Sequence, residues 1–254
     1  MAMKYLGETL DIHAGGVDLV FPHHENEIAQ SEAITSKPFA RFWLHSEFLN
    51  VEAQKMSKSA GNFYTLRDLR DLGYAPEPIR YLLASVPYRK KLNFTFDGLK
   101  AAATAIDRLR NFKLRLETER FAEGANEKLI ERTESAAKRF AESLDDDLNT
   151  AEALAALFEY VRDVNTAMDA GEFRAGNVPP ALELLDEFDR IFDVLRPSRA
   201  GDGITDAQVE ALIAERTQAK KNRDFPRADQ IRQQLLDAGI ILEDTKEGAR
   251  WKRK

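Results

Sequence analysis

The chain has 254 residues, 43% of them hydrophobic, enough to bury more than one packed unit. Its formal charge of −6 argues against a nonspecific nucleic-acid binder, and its lack of any cysteine excludes disulfides and fits a reducing compartment. Met1–Leu10 holds no apolar run of signal-peptide length, and no stretch nears the ~20 apolar residues of a membrane span, so a soluble, cytoplasmic protein with no membrane partner is expected.

In chain order, Leu10-Asp11-Ile12-His13 reads as a short buried strand ending at Gly15-Gly16. A helix is predicted from Pro22 to Glu32, with the proline in its first turn, where a missing N–H costs nothing. On such a helix His23 and Glu27 lie one turn apart on one face, so an imidazole and a carboxylate could meet on one metal ion. A solvated first turn, with acidic side chains favoured by the helix dipole, explains the same residues. Phe42 to Val51 is a second strand region. Ligands of such sheets bind beyond the carboxyl ends of the strands, which is where His13, Asp18 and the following loop would gather.

That loop reads Lys55-Met56-Ser57-Lys58-Ser59, with Gly61 behind it. Two lysines three residues apart can carry ammonium charge onto phosphate oxygens, and Ser57 and Ser59 add hydroxyl donors. An ordinary basic surface loop would look similar. Residues 63–98 form a connecting segment, with Pro76 and Pro78 opening a helix.

From Leu99 the pattern turns helical. Leu99, Ala103, Ile106, Leu109 and Leu116 share one face. A second helix covers 127–143. A third opens at Asn149, where Glu152 suggests a capping box, buries Leu154, Leu157, Phe158, Val161, Val164 and Met168, and stops at Gly171. A fourth begins at Pro179-Pro180 and buries Leu182, Leu185, Phe188, Ile191 and Leu195. Four such helices with short polar loops predict a bundle over 99–197. After a linker at 198–204, Thr205 with Gln208 caps a further helix, Asp224-Phe225-Pro226 caps another, and Gly239 ends it. Ile240-Ile241-Leu242 and Ala249-Arg250-Trp251 are candidates for a hairpin.

Residues 201–254 carry eleven Lys/Arg and ten Asp/Glu, net +1, so the first two hundred residues carry −7. The basic residues cluster at Arg216, Lys220, Lys221, Arg223, Arg227 and Arg232, and again at Arg250, Lys252, Arg253 and Lys254. Such clusters can neutralise phosphates, or they can be solvated helix faces. Trp251 is either a lid on a small domain or a base-stacking platform.

Lys55–Ser59 resembles, letter for letter, the second signature of class I aminoacyl-tRNA synthetases. Pro22-His23-His24-Glu25-Asn26-Glu27, with residues 11–35 and 45–67 around it, resembles the cysteinyl-tRNA synthetase version of that catalytic domain. Lys220–Phe225, Ala228–Arg232 and Gly239–Thr245 resemble the C-terminal end of the same enzymes. The resemblance implies a mostly α fold, with a partial α/β nucleotide-binding (Rossmann-like) remnant over 1–62. It also implies a tRNA-binding helical bundle and a small α+β anticodon-recognition domain over 205–254. It implies ATP-dependent activation of cysteine and its transfer to the 3′ end of tRNA for cysteine, with zinc and with ATP and Mg as cofactors.

On that footing Lys55 and Lys58 are the catalytic lysines, and Lys58, Ser57, Ser59, Gly15 and Gly16 contact ATP, the glycines by close backbone approach. His13 and Asp18 face the substrate pocket, and His23 and Glu27 are two of the zinc ligands. His24 is a packing or supporting histidine. The family's first signature, His-x-Gly-His, and its two zinc-binding cysteines have no counterpart here. The chain is therefore expected to begin inside the catalytic domain, with an incomplete zinc site and no activity on its own. Two alternatives stand beside this reading: a related ligase joining cysteine to an amino sugar, and a non-catalytic tRNA-binding fragment.

Overall fold

The computed structural model describes residues 2–57, 59–196, 206–222, 224–237, 240–245 and 248–253. The chain divides into two compact units, 1–196 and 197–254. The predicted 198–204 linker, the Thr205 cap and the Gly239 stop lie outside the described residues.

In the first unit a short helix α1 (Ala2–Leu6) precedes strand β1 (Leu10–Gly16). β1 pairs in parallel with β2 (Ala40–Ser46), from Leu10 opposite Ala40 to Gly16 opposite Ser46, and helix α2 (Glu25–Thr35) lies in the crossover that parallel pairing requires. The strand runs further than predicted, through both glycines. The predicted helix, by contrast, begins three residues late. Phe21 is extended (φ −130°, ψ 131°), so Val17–Leu19 and Val20–His24 form separate tight turns before α2 starts at Glu25. The predicted 42–51 strand is two strands, because the chain turns at Glu47-Phe48. β3 (Leu49–Val51) pairs antiparallel with β4 (Gln54–Lys55) and parallel with β5 (Leu92–Phe94).

Between them lie α3 (Leu66–Asp71) and α4 (Pro76–Ala84). Thr65 caps α3 through a reciprocal exchange with Asp68, and Pro76 opens α4 as its missing N–H allows. Val51, Leu69, Ile79, Leu92, Phe94 and Leu99 close a core between these helices and the β3–β5 sheet.

The bundle follows: α5 (Phe96–Thr118), α6 (Glu127–Asp145), α7 (Thr150–Asp169) and α8 (Val178–Phe192). Leu109, Phe112, Leu157, Tyr160, Val164, Leu185 and Phe188 are buried at its centre. The predicted stripes hold with four exceptions, of which Phe158 and Leu182 are half-buried. On α5 Ala102 is buried and Ala103 only half-buried, and on α8 Ile191 is 47% exposed while Phe192 turns inward to stack on Phe188 at 4.7 Å. The Asn149 side chain caps α7 by accepting from the Glu152 N–H at 3.3 Å, and Gly171 follows its end at φ +69°. At the carboxyl end of α8, Arg80 donates to the Phe192 and Ile191 carbonyls and Arg110 to those of Val194 and Leu195. Two guanidinium groups thus satisfy carbonyls that a helix end leaves unpaired.

The second unit is a pair of helices, α9 (Asp206–Lys221) and α10 (Phe225–Asp237), and an antiparallel hairpin of β6 (Ile240–Thr245) and β7 (Gly248–Arg253). Val209, Ile213, Ile231, Leu235 and Ile240 form its core. Asp224 caps α10 by accepting from the Arg227 N–H at 3.1 Å.

Tyr160 tests the bundle core. Its hydroxyl lies 3.0 Å from Thr133 Oγ1, which itself donates to the Leu129 carbonyl, so the tyrosine is the donor of the pair. Burial pushes its phenol up to about 12. Tyr160→Phe should cost about 1 kcal/mol of unfolding free energy and Tyr160→Ala about 3–5 kcal/mol, read by denaturant titration. Equal effects of the two substitutions would contradict this packing.

Candidate functional site

The β1–β2 register sets His13 beside Trp43 and Gly15 beside His45 on one face of the sheet. His13 Nε2 lies 2.8 Å from Glu27 Oε2, and His24 Nδ1 lies 2.8 Å from His45 Nε2. The His13 and His24 rings meet edge to face at 4.7 Å, and Trp43 covers His13 at 4.9 Å. His24 is 6% exposed, and burial, then the neighbouring His13, pushes its pKa below the usual value.

Glycine at 15 makes this possible. A Cβ there would stand 2.7 Å from His24 Cε1 and 3.0 Å from Leu19 Cδ1. The Asp18 carboxylate likewise occupies the place a Cβ at Gly16 would need. The open backbone expected at Gly15 and Gly16 is thus already used by the chain's own side chains.

Among the described residues His13, His24 and Glu27 are the group whose donor atoms converge, within 4.8 Å of one another. The expected partner of Glu27, His23, is exposed and stands outside this group. The late start of α2 is the reason: His23 belongs to the preceding turn, which aims His24 inward instead. Two imidazoles and a carboxylate are donors of the kind zinc takes, at about 2.0–2.2 Å.

The Lys55–Ser59 loop follows β4. Asn62 braces it, accepting from the Ser57 N–H at 2.9 Å and donating to the Lys55 carbonyl at 3.2 Å. Ser57 Oγ accepts from the Ala60 N–H at 3.2 Å, and Lys55 Nζ lies 5.6 Å from the centre of the Phe48 ring. Lys58 lies outside the described residues. Sequence reasoning missed His45, Trp43 and the bracing role of Asn62. Alternation along Ala40–Ser46 already places Trp43 and His45 on one side.

The opposite face carries Ile12, Ala14, Phe42 and Leu44. It opens into a cavity of about 620 Å³ lined by Ala14, Leu44, Leu49, Leu83, Val86 and Leu148, among others. Tyr88, also on its wall, donates to Asp147 Oδ1 at 2.7 Å, and the Tyr88 carbonyl accepts from the Glu47 N–H at 2.8 Å.

In the second unit the expected basic cluster is partly committed. Arg216 is 4% exposed, and Arg227 forks onto Glu215 at 2.7–2.9 Å. Lys221 and Arg232 are exposed, while Arg223 and Lys254 lie outside the described residues. Trp251 packs half-buried on the small core and donates to Glu210 at 2.6 Å, which makes it a lid.

Comparisons with known proteins bear on this site. Residues 1–104 match the model of the tRNA synthetases class I (C) catalytic domain. Residues 139–195 match the DALR domain, and 203–251 the cysteinyl-tRNA ligase anticodon binding domain. The whole chain aligns at 70% identity with 54% of the cysteine–tRNA ligase of Solibacter usitatus. It aligns at 55% identity with 57% of the Koribacter versatilis ligase of that name. Along its whole length the chain is similar to cysteine–tRNA ligases. It spans about half the length of the curated relatives it matches.

Two solved structures share its fold. One is a LeuRS–tRNA–LeuAMS complex from Agrobacterium radiobacter K84 (TM-score 0.58, 16% identity, 72% of this chain, 25% of that one). The other is Mycobacterium tuberculosis methionyl-tRNA synthetase with methionyl-adenylate (TM-score 0.52, 18% identity, 73% of this chain, 41% of that one). No helix among the described residues is long and apolar enough to cross a membrane.

The depressed pKa of His24 predicts a pH effect in metal-free protein. The unfolded chain takes up this proton first, below about 6.5, while the folded site stays neutral. Its contribution to stability is present above that pH and is lost as pH falls. The melting temperature should therefore drop between pH 7 and pH 5.5, and His24→Gln should flatten the drop. An unchanged slope in the variant would place the effect elsewhere.

Proposed function

We propose that the chain forms part of a cysteine–tRNA ligase, which joins cysteine to ATP and then to the 3′ end of its tRNA. One observation carries the reading: similarity along the entire chain, at 70% identity, to a protein bearing that name. The Lys55–Ser59 loop supports it. Braced by Asn62, the loop can present Lys55, Ser57, Lys58 and Ser59 to the phosphates of ATP with Mg, where positive charge stabilises a departing pyrophosphate. Asp18 lies just past the carboxyl end of β1, where substrate would be held, and His13 stands within the strand on the face that carries the histidine cluster.

Zinc, when bound in such an enzyme, grips the substrate thiolate and so favours cysteine over serine, since a hydroxyl is a poorer ligand for a soft metal. The residues that would hold it here are His13, His24 and Glu27, with His23 next to them in the chain. No cysteine in the chain can add sulfur. The purified protein should therefore retain well under one equivalent of zinc after dialysis, measured by metal analysis. Tight one-to-one zinc would mean that other residues complete the site.

The match of 203–251 to an anticodon binding domain weighs against the amino-sugar ligase and supports reading the tail as a tRNA-binding part. The full chain should bind tRNA for cysteine with an affinity that falls steeply with salt, because its cations displace counterions from phosphates. It should catalyse no cysteine-dependent exchange of pyrophosphate into ATP. Changing the anticodon should weaken binding more than changing the acceptor stem, since unstacked loop bases carry the sequence information. Equal affinity for all tRNAs, or measurable exchange by the chain alone, would refute the corresponding half of the proposal.

A further inference from the structure

Just ahead of the lysine loop, Glu52 and Ala53 have φ of +48° and +63°. They make the two-residue connection of the β3–β4 hairpin, between the paired Val51 and Gln54. So tight a hairpin favours positive φ at both positions, and asparagine followed by glycine adopts it readily. Glutamate and alanine do not, because a Cβ crowds the backbone there. The ladder they close has only two paired positions, too few to impose the turn by itself. The hairpin is therefore held from outside.

That support comes from β5, forty residues along the chain. β5 lies beside β3 in parallel register, with Asn93 opposite Asn50 and Phe94 opposite Val51. Leu92 and Phe94 are buried, so alternation leaves Asn93 as the outward side chain of the strand. Asn93 Oδ1 accepts from the Ala53 N–H at 2.7 Å. The Phe94 carbonyl accepts from the Glu52 N–H at 3.0 Å, and Glu52 Oε1 accepts from the Phe96 N–H at 3.2 Å. Two of these contacts use the backbone of β5 and α5. The third uses the Asn93 side chain, on which a substitution can act alone.

We propose that Asn93 is a positioning residue for the lysine loop: by fixing the Glu52–Ala53 turn it sets where β4 delivers Lys55. Lys55 is the last residue of β4 and pairs with Asn50, so its backbone direction follows from the turn just before it. Its Nζ then lies over the Phe48 ring, and Asn62 carries the order on to Ser57. The start of the loop is thus gripped by two carboxamides, Asn93 ahead of it and Asn62 behind it. Without Asn93 the turn relaxes toward negative φ, and β4 loses its pairing with β3. A cation held in place stabilises developing charge on a phosphate; one on a loosened strand has to be ordered first. The inference rests on reading the loop as the part that meets the phosphates of ATP.

The test uses the full chain with Asn93→Leu, which keeps the size and removes the acceptor, and Asn93→Asp, which keeps an acceptor oxygen. Because the Asn93 side chain is exposed, both variants should melt within a few degrees of the parent. Asn93→Leu should speed tryptic cleavage after Lys55, and amide exchange over residues 53–57, about fivefold, as expected for local opening after the loss of one hydrogen bond. Asn93→Asp should restore the parent's behaviour in both measurements. Millimolar ATP with Mg should slow the cleavage in the parent, and slow it less in Asn93→Leu.

Equal cleavage and exchange in Asn93→Leu and the parent would overturn the proposal, and so would an Asn93→Asp chain as loose as Asn93→Leu. A large fall in melting temperature with faster exchange throughout β3 and β5 would overturn it too, since Asn93 would then hold the sheet and not the loop. A loop that loosens as expected in Asn93→Leu, but gains no protection from ATP in the parent, would leave the positioning role standing and count against the phosphate reading of the loop.

Discussion

Parallel pairing of β1 with β2 is the constraint on which the site depends. The register sets His13 opposite Trp43 and Gly15 opposite His45, and the two-residue alternation puts all four on one face although some thirty residues of chain separate the strands. The crossover then has to return over that face, and its last turn before α2 lays His24 across Gly15. A side chain at Gly15 would push the ring away and break the His24–His45 contact. The glycine, more than any histidine, sets the geometry of the cluster.

This arrangement is tied to the bundle by a short chain of polar contacts. The Glu47 N–H, just past β2, donates to the Tyr88 carbonyl, and the Tyr88 hydroxyl and the Arg89 guanidinium both donate to Asp147. Asp147 and Leu148 sit in left-handed conformations, φ +52° and +57°, in the turn between α6 and α7. Two consecutive non-glycine residues there cost on the order of 1–3 kcal/mol each, sustained only where surrounding contacts over-determine the turn. The contacts to Asp147 do that, and Leu148 is thereby presented to the cavity wall. At the carboxyl end of α8, Arg80 and Arg110 bond its last carbonyls and tie α4 and α5 to it.

What the sequence made legible follows the strength of its periodicities. The bundle stripes of Leu157, Val161, Val164 and Phe188 were readable because each helix is long and buries one continuous face. The Lys55–Ser59 loop was readable as a motif but not as a geometry, since Asn62, which braces it, follows no period. The start of α2 was misread because Pro22 is compatible with a helical first turn, whereas an extended Phe21 beside it ends the turn early. That one local choice decides which of two adjacent histidines faces inward. Local propensity does not distinguish His23 from His24; packing against Gly15 and His45 does.

Charge tells the two units apart in a similar way. The bundle is rich in arginine, but Arg115 is bonded to Glu119 and Asp169, Arg132 to Asp163, and Arg139 to Glu152 and Glu159. These groups neutralise one another across helix faces and leave little net field to draw in a polyanion. In the second unit Arg216 is buried and Arg227 is paired, yet Lys221 and Arg232 remain at the surface on a segment whose overall charge is positive. The tRNA binding proposed above would draw mainly on these exposed cations of the smaller unit.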